Sequence, residues 1–279
     1  CFSITSPQAS LSLKKINQIK DRLNIRVIAG GPHPTAIPDE LLRQSQIDIL
    51  VRGEGEKTML EIYEYFVGLT SLSSIKGISF RNNGKIIHTP NRPLISDLDS
   101  LPFPAWELFP FHKYTFVTRK KSFSLPIMTS RGCIFRCIYC YRVCGEKHRF
   151  RSAQSIISEI LYLIKNFNIK EFIFLDDFFG ADENRAIEIC DEIIRHNINI
   201  PWRIISLAVN STTRRLLEKL HEAGCYQIGV EVESGNQNVL DYIGRNIILS
   251  QVEKILCFAK KVGLQTVTYA MIGNLSENE

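Results

Sequence analysis

Three cysteines, Cys133, Cys137 and Cys140, fall within the short segment Ser130-Arg131-Gly132-Cys133-Ile134-Phe135-Arg136-Cys137-Ile138-Tyr139-Cys140. Thiolates spaced C-x3-C-x2-C on one tight loop can converge on a single soft metal centre, which is how iron–sulfur clusters are usually held. A full cluster takes four protein ligands, so three leave one iron open to a small molecule. Cys144 follows closely. As a fourth ligand it would give a closed electron-transfer cluster or a structural zinc site. With three ligands it is a bystander. Cys1, Cys190, Cys225 and Cys257 stand singly and read as small core residues.

Two further groups of polar residues end apolar runs. Asp176-Asp177 closes Phe174-Leu175, and Glu233-Ser234-Gly235 follows Gln227–Glu231. By chemistry alone the adjacent carboxylates could cap a helix or hold Mg²⁺. Glu233-Ser234-Gly235 also fits a turn with a helix cap. Nearer the N-terminus, Val27-Ile28-Ala29-Gly30-Gly31-Pro32-His33-Pro34 joins an apolar run to a glycine turn. Glycines there let a backbone approach a flat or phosphorylated ligand closely.

Alternating elements position these residues. Phe2–Thr5, Arg26–Ala29 and Ile47–Val51 read as strands. Helices are predicted where Leu11, Leu13, Ile16, Ile19 and Leu23 recur, over Pro38–Gln44 and over Glu56–Phe66. Pro90, Pro93, Pro102, Pro104 and Pro110 interrupt any long element, and the aromatics Phe103, Trp106, Phe109 and Phe111 suit a linker lying on a surface. From Leu125 the alternation resumes, with strands expected at Leu125–Thr129, Glu171–Leu175, Trp202–Leu207, Gln227–Glu231 and Thr266–Met271. Helices fit between them at Ser152–Asn166, Glu183–His196, Thr212–Ala223 and Ser250–Val262. Thr212 and Ser250 are the expected N-caps, and Gly224 and Gly263 the helix ends. Repeated βα units imply a parallel sheet and a barrel or part of one, with chemistry at the C-terminal strand ends.

Composition narrows the class. Hydrophobic residues make up 44% and charged residues 23%, as in globular proteins, and no apolar run is long enough to span a membrane. Eight cysteines without an export signal argue against a disulfide framework and for a cytoplasmic, reducing setting. The net charge of +5 is spread out. Its densest run, Arg119, Lys120 and Lys121 with Arg149 and Arg151 nearby, reads as a solvated face, so nucleic acid is not an expected partner. The start at Cys1 and the polar finish at Asn274–Glu279 suggest an excerpt of a longer protein.

C-x3-C-x2-C with Tyr139 before the last cysteine resembles the signature of the radical S-adenosylmethionine (SAM) superfamily. The resemblance implies that Cys133, Cys137 and Cys140 hold a [4Fe–4S] cluster whose open iron binds SAM. Reductive cleavage then gives a 5′-deoxyadenosyl radical that abstracts hydrogen, with Tyr139 near the adenine. Residue by residue, it puts Asp176 and Asp177 beside the cofactor's amino group, Glu233 and Ser234 at its ribose and methionine, and Gly273 of Met271-Ile272-Gly273 on the adenine side. Two departures stand out: no proline near Leu275, and no basic residue within Leu207-Ala208-Val209-Asn210 on the third strand. Upstream, Gly30, Gly31, Gly53 and Gly55, with Ser3 and Thr5, are similar to a cobalamin (B12)-binding domain, lining the corrin's nucleotide side. In that family the histidine motif falls upstream of the position matching Cys1, and His33 is not that residue. The domain could also be a scaffold that has lost its cofactor.

The fold class that follows is α/β. A truncated Rossmann-like, cobalamin-binding type domain covers residues 1–88, a Pro/aromatic linker 89–124, and a truncated partial (β/α)6 radical SAM barrel 125–279. The implied function is radical SAM chemistry with cobalamin, leading to C-methylation or to anaerobic cyclisation or rearrangement of a small molecule. An external electron donor such as flavodoxin or ferredoxin is implied as well. Two rivals remain at this stage: a non-catalytic iron–sulfur or zinc module, which would need Cys144, and an RNA methylthiotransferase. The latter family carries three more clustered cysteines in its first domain, where this chain has only Cys1.

Overall fold

A computed structural model describes residues 1–113, 120–121, 123–274 and 277; Arg119 and Leu275 lie outside them. The chain divides into two compact units, one of Cys1–Ile95 with Tyr141–Gly145 and one of Ser96–Cys140 with Glu146–Glu279.

In the first unit, β1 (Phe2–Ser3), α1 (Ala9–Arg22), β2 (Ile28–Gly30), α2 (Pro32–Ala36), α3 (Pro38–Gln44), β3 (Ile49–Val51) and α4 (Glu56–Phe66) alternate as expected. They build a sheet of order β1-β2-β3-β4-β5 in which the first three strands are parallel. The strands β4 (Ile78–Asn82) and β5 (Lys85–His88) are antiparallel and were not foreseen. Their turn is Asn83-Gly84, both at positive φ (47° and 78°), the pair that a tight two-residue hairpin demands. Ile4, Ile16, Val27, Ala29, Leu41, Leu42, Ile47 and Leu50 pack one core of this unit.

The second unit holds β6 (Ser124–Ile127), β7 (Ser130–Arg131), β8 (Arg149–Phe150), α5 (Ala153–Phe167), β9 (Glu171–Phe174) and α6 (Glu183–Arg195). It continues with β10 (Trp202–Ile204), α7 (Arg214–Glu222), β11 (Cys225–Glu233), α8 (Gln237–Tyr242), α9 (Leu249–Lys261) and β12 (Gln265–Ala270). Five strands form a wholly parallel sheet of order β12-β11-β10-β9-β6. Alternate side chains of its strands, among them Phe172, Phe174, Trp202, Ile204, Ile228 and Val230, join the helices in one large core. Trp202 stacks on Phe172 with ring centroids 5.6 Å apart and donates its indole N–H to the Ala223 carbonyl at 2.8 Å. A buried aromatic is thus both packed and satisfied.

The opposite alternates are polar at the N-terminal end. Glu171, fully buried, accepts from the Tyr226 hydroxyl at 2.7 Å and from the backbone N–H groups of Lys120 and Lys121 at 2.8 and 2.7 Å. Arg203 lies 3.7 Å from it and donates to Gln227 at 3.2 Å. Burial and the Glu171 carboxylate hold the Tyr226 phenol well above its usual range. A buried carboxylate is tolerated here because its lone pairs are met.

Several expectations are corrected. The N-cap of α7 is Thr213, whose side chain accepts from Leu216 N–H, whereas the Thr212 hydroxyl turns back to the Ala208 carbonyl. The N-cap of α9 is Ile248, which offers no side-chain bond, so Ser250 lies in the first turn. Cys190 and Cys225 are buried, but Cys1 and Cys257 are exposed rather than core. Arg151 is no part of a solvated face: it pairs with the buried Glu159 at 2.5 Å. Glu159 also accepts from the Trp106 indole at 3.2 Å, fastening the proline-rich segment to α5. Among the described residues no helix is long and apolar enough to cross a membrane.

Candidate functional site

The cysteine segment is the loop of a small hairpin. β7 and β8 pair antiparallel, Ser130 with Phe150 and Arg131 with Arg149, so the chain leaves and returns at one place beyond the C-terminal end of β6. Gly132, at φ 90°, starts the loop in a conformation that suits glycine. Midway, the loop rests on the turn after α8: Ile138 N–H donates to the Ile243 carbonyl at 3.0 Å, and the Cys137 thiol lies 3.7 Å from the Gly244 carbonyl. Gly244 has φ 68°, and a Cβ there would come within 3.0 Å of the Arg136 carbonyl. Phe135 packs edge-on against Phe178 at 4.8 Å.

The three thiols differ in setting: Cys137 is buried, Cys133 half-buried and Cys140 exposed. Burial raises the Cys133 pKa most, and Asp177 and Cys137 raise it further, while the Phe135 N–H and Arg245 work the other way. Among the described residues no three His, Cys, Asp or Glu side chains already stand together as a metal cage. The donor chemistry nonetheless fits an iron–sulfur cluster: thiols alone on one anchored loop, with the buried cation Arg245 bearing on Cys133 to offset their negative charge. Cys144, half-buried, falls in the segment Tyr141–Gly145 of the first unit.

The neighbouring strand ends carry the other expected residues. Asp177, just beyond β9, is exposed, whereas Asp176 is buried at 4% exposure. Asp176 Oδ1 accepts from Thr129 N–H at 2.6 Å and Ser130 N–H at 3.0 Å, and Oδ2 accepts from the Thr129 hydroxyl. Burial raises its pKa against the lowering by those bonds. Beyond β10, the Ser206 hydroxyl donates to the Asp177 carbonyl at 2.9 Å. On β11 a register shift between Glu231 and Glu233 ends with Glu233 at φ 68°. A glutamate in the left-handed region is uncommon and concentrates at functional sites. Burial chiefly raises the Tyr139 pKa, and Cys137 and Glu233 add to it. Ser234 accepts from Asn236 N–H at 3.2 Å, and Asn236 caps α8, so this stretch also serves as a turn and cap. Gly273, at φ 96°, follows β12 and is exposed.

Arg245 was not foreseen. It is 7% exposed and donates from Nη2 and Nε to the Glu231 carbonyl at 2.7 and 3.2 Å, with the Glu231 carboxylate 3.3 Å away. Burial raises Glu231 from its ordinary pKa, and Arg245 counters this. The same guanidinium lies 5.8 Å from the Phe178 ring centre and bears on Cys133 and Tyr139. A buried basic residue is thus present near this site, supplied by the turn after α8 rather than by Leu207–Asn210.

In the first unit, Ser3 and Gly30 lie in β1 and β2, and Thr5, Gly31, Gly53 and Gly55 follow β1, β2 and β3, so all six gather at one edge of the sheet. Gly31 has φ 103°, and a Cβ on it would meet the Ile4 backbone at 3.0 Å. Gly53 has φ 72° with open space around it, while Gly30 and Gly55 have ordinary φ values. Thr35, also unforeseen, ties the two glycine turns together: its hydroxyl donates to the Gly31 carbonyl at 2.8 Å and accepts from Gly53 N–H at 3.1 Å. His33 Nδ1 lies 3.1 Å from the Ser6 hydroxyl.

Family models match along this same division. That of the Radical SAM superfamily matches residues 127–279, and that of the B12 binding domain matches residues 1–63. An uncharacterized methyltransferase of Pyrococcus horikoshii is 35% identical over 93% of this chain and 55% of its own length. The anaerobic magnesium-protoporphyrin IX monomethyl ester cyclase of Rubrivivax gelatinosus is 28% identical over 100% of this chain and 51% of its own. The chain therefore spans about half the length of the curated relatives it matches. In fold it is similar to the cobalamin-dependent S-adenosylmethionine radical enzyme OxsB, with a TM-score of 0.80 at 19% identity over 97% of this chain and 40% of that one.

Proposed function

Since this chain belongs to the radical SAM superfamily and carries a B12 binding domain ahead of that core, we propose that the protein is a cobalamin-dependent radical SAM enzyme. It would methylate carbon, or close or rearrange a ring, on a small-molecule substrate. When bound, a [4Fe–4S] cluster supplies the electron that cleaves SAM to a 5′-deoxyadenosyl radical, and cobalamin supplies a methyl carrier. The observation that carries the reading is the anchored thiol loop with a buried arginine beside it and a left-handed glutamate on a neighbouring strand end.

Cys133, Cys137 and Cys140 are the cluster ligands in this reading. The Asp177 carboxylate, exposed beyond β9, suits the amino group of SAM. Arg245 suits its carboxylate, since a buried guanidinium favours a planar anion. Glu233 and Ser234 suit the ribose side, with Tyr139 and Gly273 towards the adenine. Ser3, Thr5, Gly30, Gly31, Gly53 and Gly55, braced by Thr35, suit the corrin's nucleotide tail. Low-potential chemistry on free cysteine thiols fits the reducing cytoplasm and an external donor such as flavodoxin or ferredoxin.

The test uses the full-length protein, reconstituted anaerobically with iron and sulfide and given dithionite and SAM. Production of 5′-deoxyadenosine and a co-purifying corrinoid absorbance are expected. A protein with an intact cluster that forms none is not a radical SAM enzyme, and failure to bind added cobalamin removes that cofactor from the reading. Arg245→Gln is expected to weaken SAM affinity about tenfold or more while the cluster is retained, the cost of losing one charge-assisted contact. Equilibrium dialysis of labelled SAM checks this, and an unchanged affinity would clear Arg245 of the role.

A further inference from the structure

Resting on that reading of the cysteine loop, we propose that Asp176 is a positioning residue that fixes the base of the loop and does not touch the cofactor. Both of its oxygens are committed. Oδ1 takes the N–H groups of Thr129 and Ser130 at 2.6 and 3.0 Å, and Oδ2 takes the Thr129 hydroxyl. At 4% exposure it has almost no surface left for an ammonium group. Its neighbour Asp177 is exposed and bears electrostatically on Cys133, so it is the one available to a ligand.

The rest of the loop base completes the clamp. The Thr129 carbonyl accepts from Arg185 Nη2 at 2.7 Å and from Arg151 N–H at 3.0 Å. Arg185, from the first turn of α6, also donates to the Arg151 carbonyl and lies 4.8 Å from the Phe150 ring centre. Ser130 Oγ is 3.1 Å from His148 Nε2, so a residue just before the loop meets one at its far end. Asp176, just beyond β9, and Arg185 from α6 thus hold Thr129 from its donor and acceptor sides, and with it both ends of the segment bearing Cys133, Cys137 and Cys140. Groups that orient a metal's ligands without touching the metal are worth about 10–100-fold in its retention.

The experiment compares Asp176→Asn and Asp177→Asn in the full-length, reconstituted protein. It follows the bleaching of iron–sulfur absorbance in excess EDTA, and SAM binding by the cluster-replete fraction. Asp176→Asn is expected to bleach about tenfold or more faster with SAM affinity unchanged, and Asp177→Asn to bleach at the wild-type rate with SAM affinity weakened. Thr129→Val removes the hydroxyl at constant volume and should bleach faster, whereas Thr129→Ser should restore the wild-type rate. That pair decides the matter should Asp176→Asn not fold. Asp176→Asn that bleaches like wild type, or Thr129→Ser that fails to rescue, overturns the inference alone. Asp176→Asn that weakens SAM binding makes Asp176 a cofactor ligand and overturns it too. A wild-type protein that takes up no cluster overturns the reading beneath it.

Discussion

Cys137→Ala in the full-length protein is expected to lower 5′-deoxyadenosine formation at least about a thousandfold, a barrier increase of about 4 kcal/mol. Two thiolates cannot hold the cluster that three would, and iron content should fall with the activity. Cys137 is the most telling of the three to remove. It is buried, and its thiol is held 3.7 Å from the Gly244 carbonyl by a loop that Ile138 anchors to Ile243. Alanine leaves these backbone bonds in place, so a folded protein without a cluster is the expected product. Circular dichroism beside an iron assay separates that from misfolding. Cys144→Ala should keep both iron and activity, because Cys144, though in the same hairpin loop, falls in the stretch Tyr141–Gly145 that groups with the first unit. The opposite pattern, with Cys144 essential and Cys137 dispensable, would point to a closed or zinc-holding site.

Gly229→Ala is expected to destabilise the second unit by about 3 kcal/mol or more, read as a lowered urea midpoint of the full-length protein. Gly229 sits within β11, where its carbonyl accepts from Leu207 N–H at 2.9 Å. A Cβ on it would stand 1.9 Å from the Ile205 carbonyl oxygen and 3.1 Å from the Tyr269 ring. The obstruction is backbone, not the far end of a flexible side chain, so β10 and β11 would have to part to admit one methyl group. Pulling them apart would also disturb Glu231, Glu233 and Ser206 above. A variant as stable as wild type would show that the sheet has slack here that its close approach denies.

Much of this architecture is legible in the residues. The alternation of apolar runs with helical periods marks the parallel strands of both units, and Gly224 and Gly263, at φ 88° and 92°, end their helices as such glycines do. The β4–β5 hairpin has a local signal too, Asn83-Gly84, flanked by strands of only five and four residues. Two details of the site could not be read locally. Asp176 and Asp177 are chemically identical neighbours, and only the packing of Thr129 against one of them distinguishes the buried carboxylate from the exposed one. Arg245 lies far from the cysteines in sequence and reaches their neighbourhood only because the loop settles on the turn beside it. Cap positions such as Thr213 over Thr212 turn on which hydroxyl the backbone presents first, a one-residue difference that pattern cannot resolve.

The backbone angle at Glu233 has a price in foldability. An L-residue held at φ 68° gives up about 1 kcal/mol that glycine would not. Selection for thermal robustness alone would favour glycine at this strand end. Under the proposed function the carboxylate offsets that cost by meeting the cofactor, so glycine at this one position would gain sturdiness at the expense of the contact.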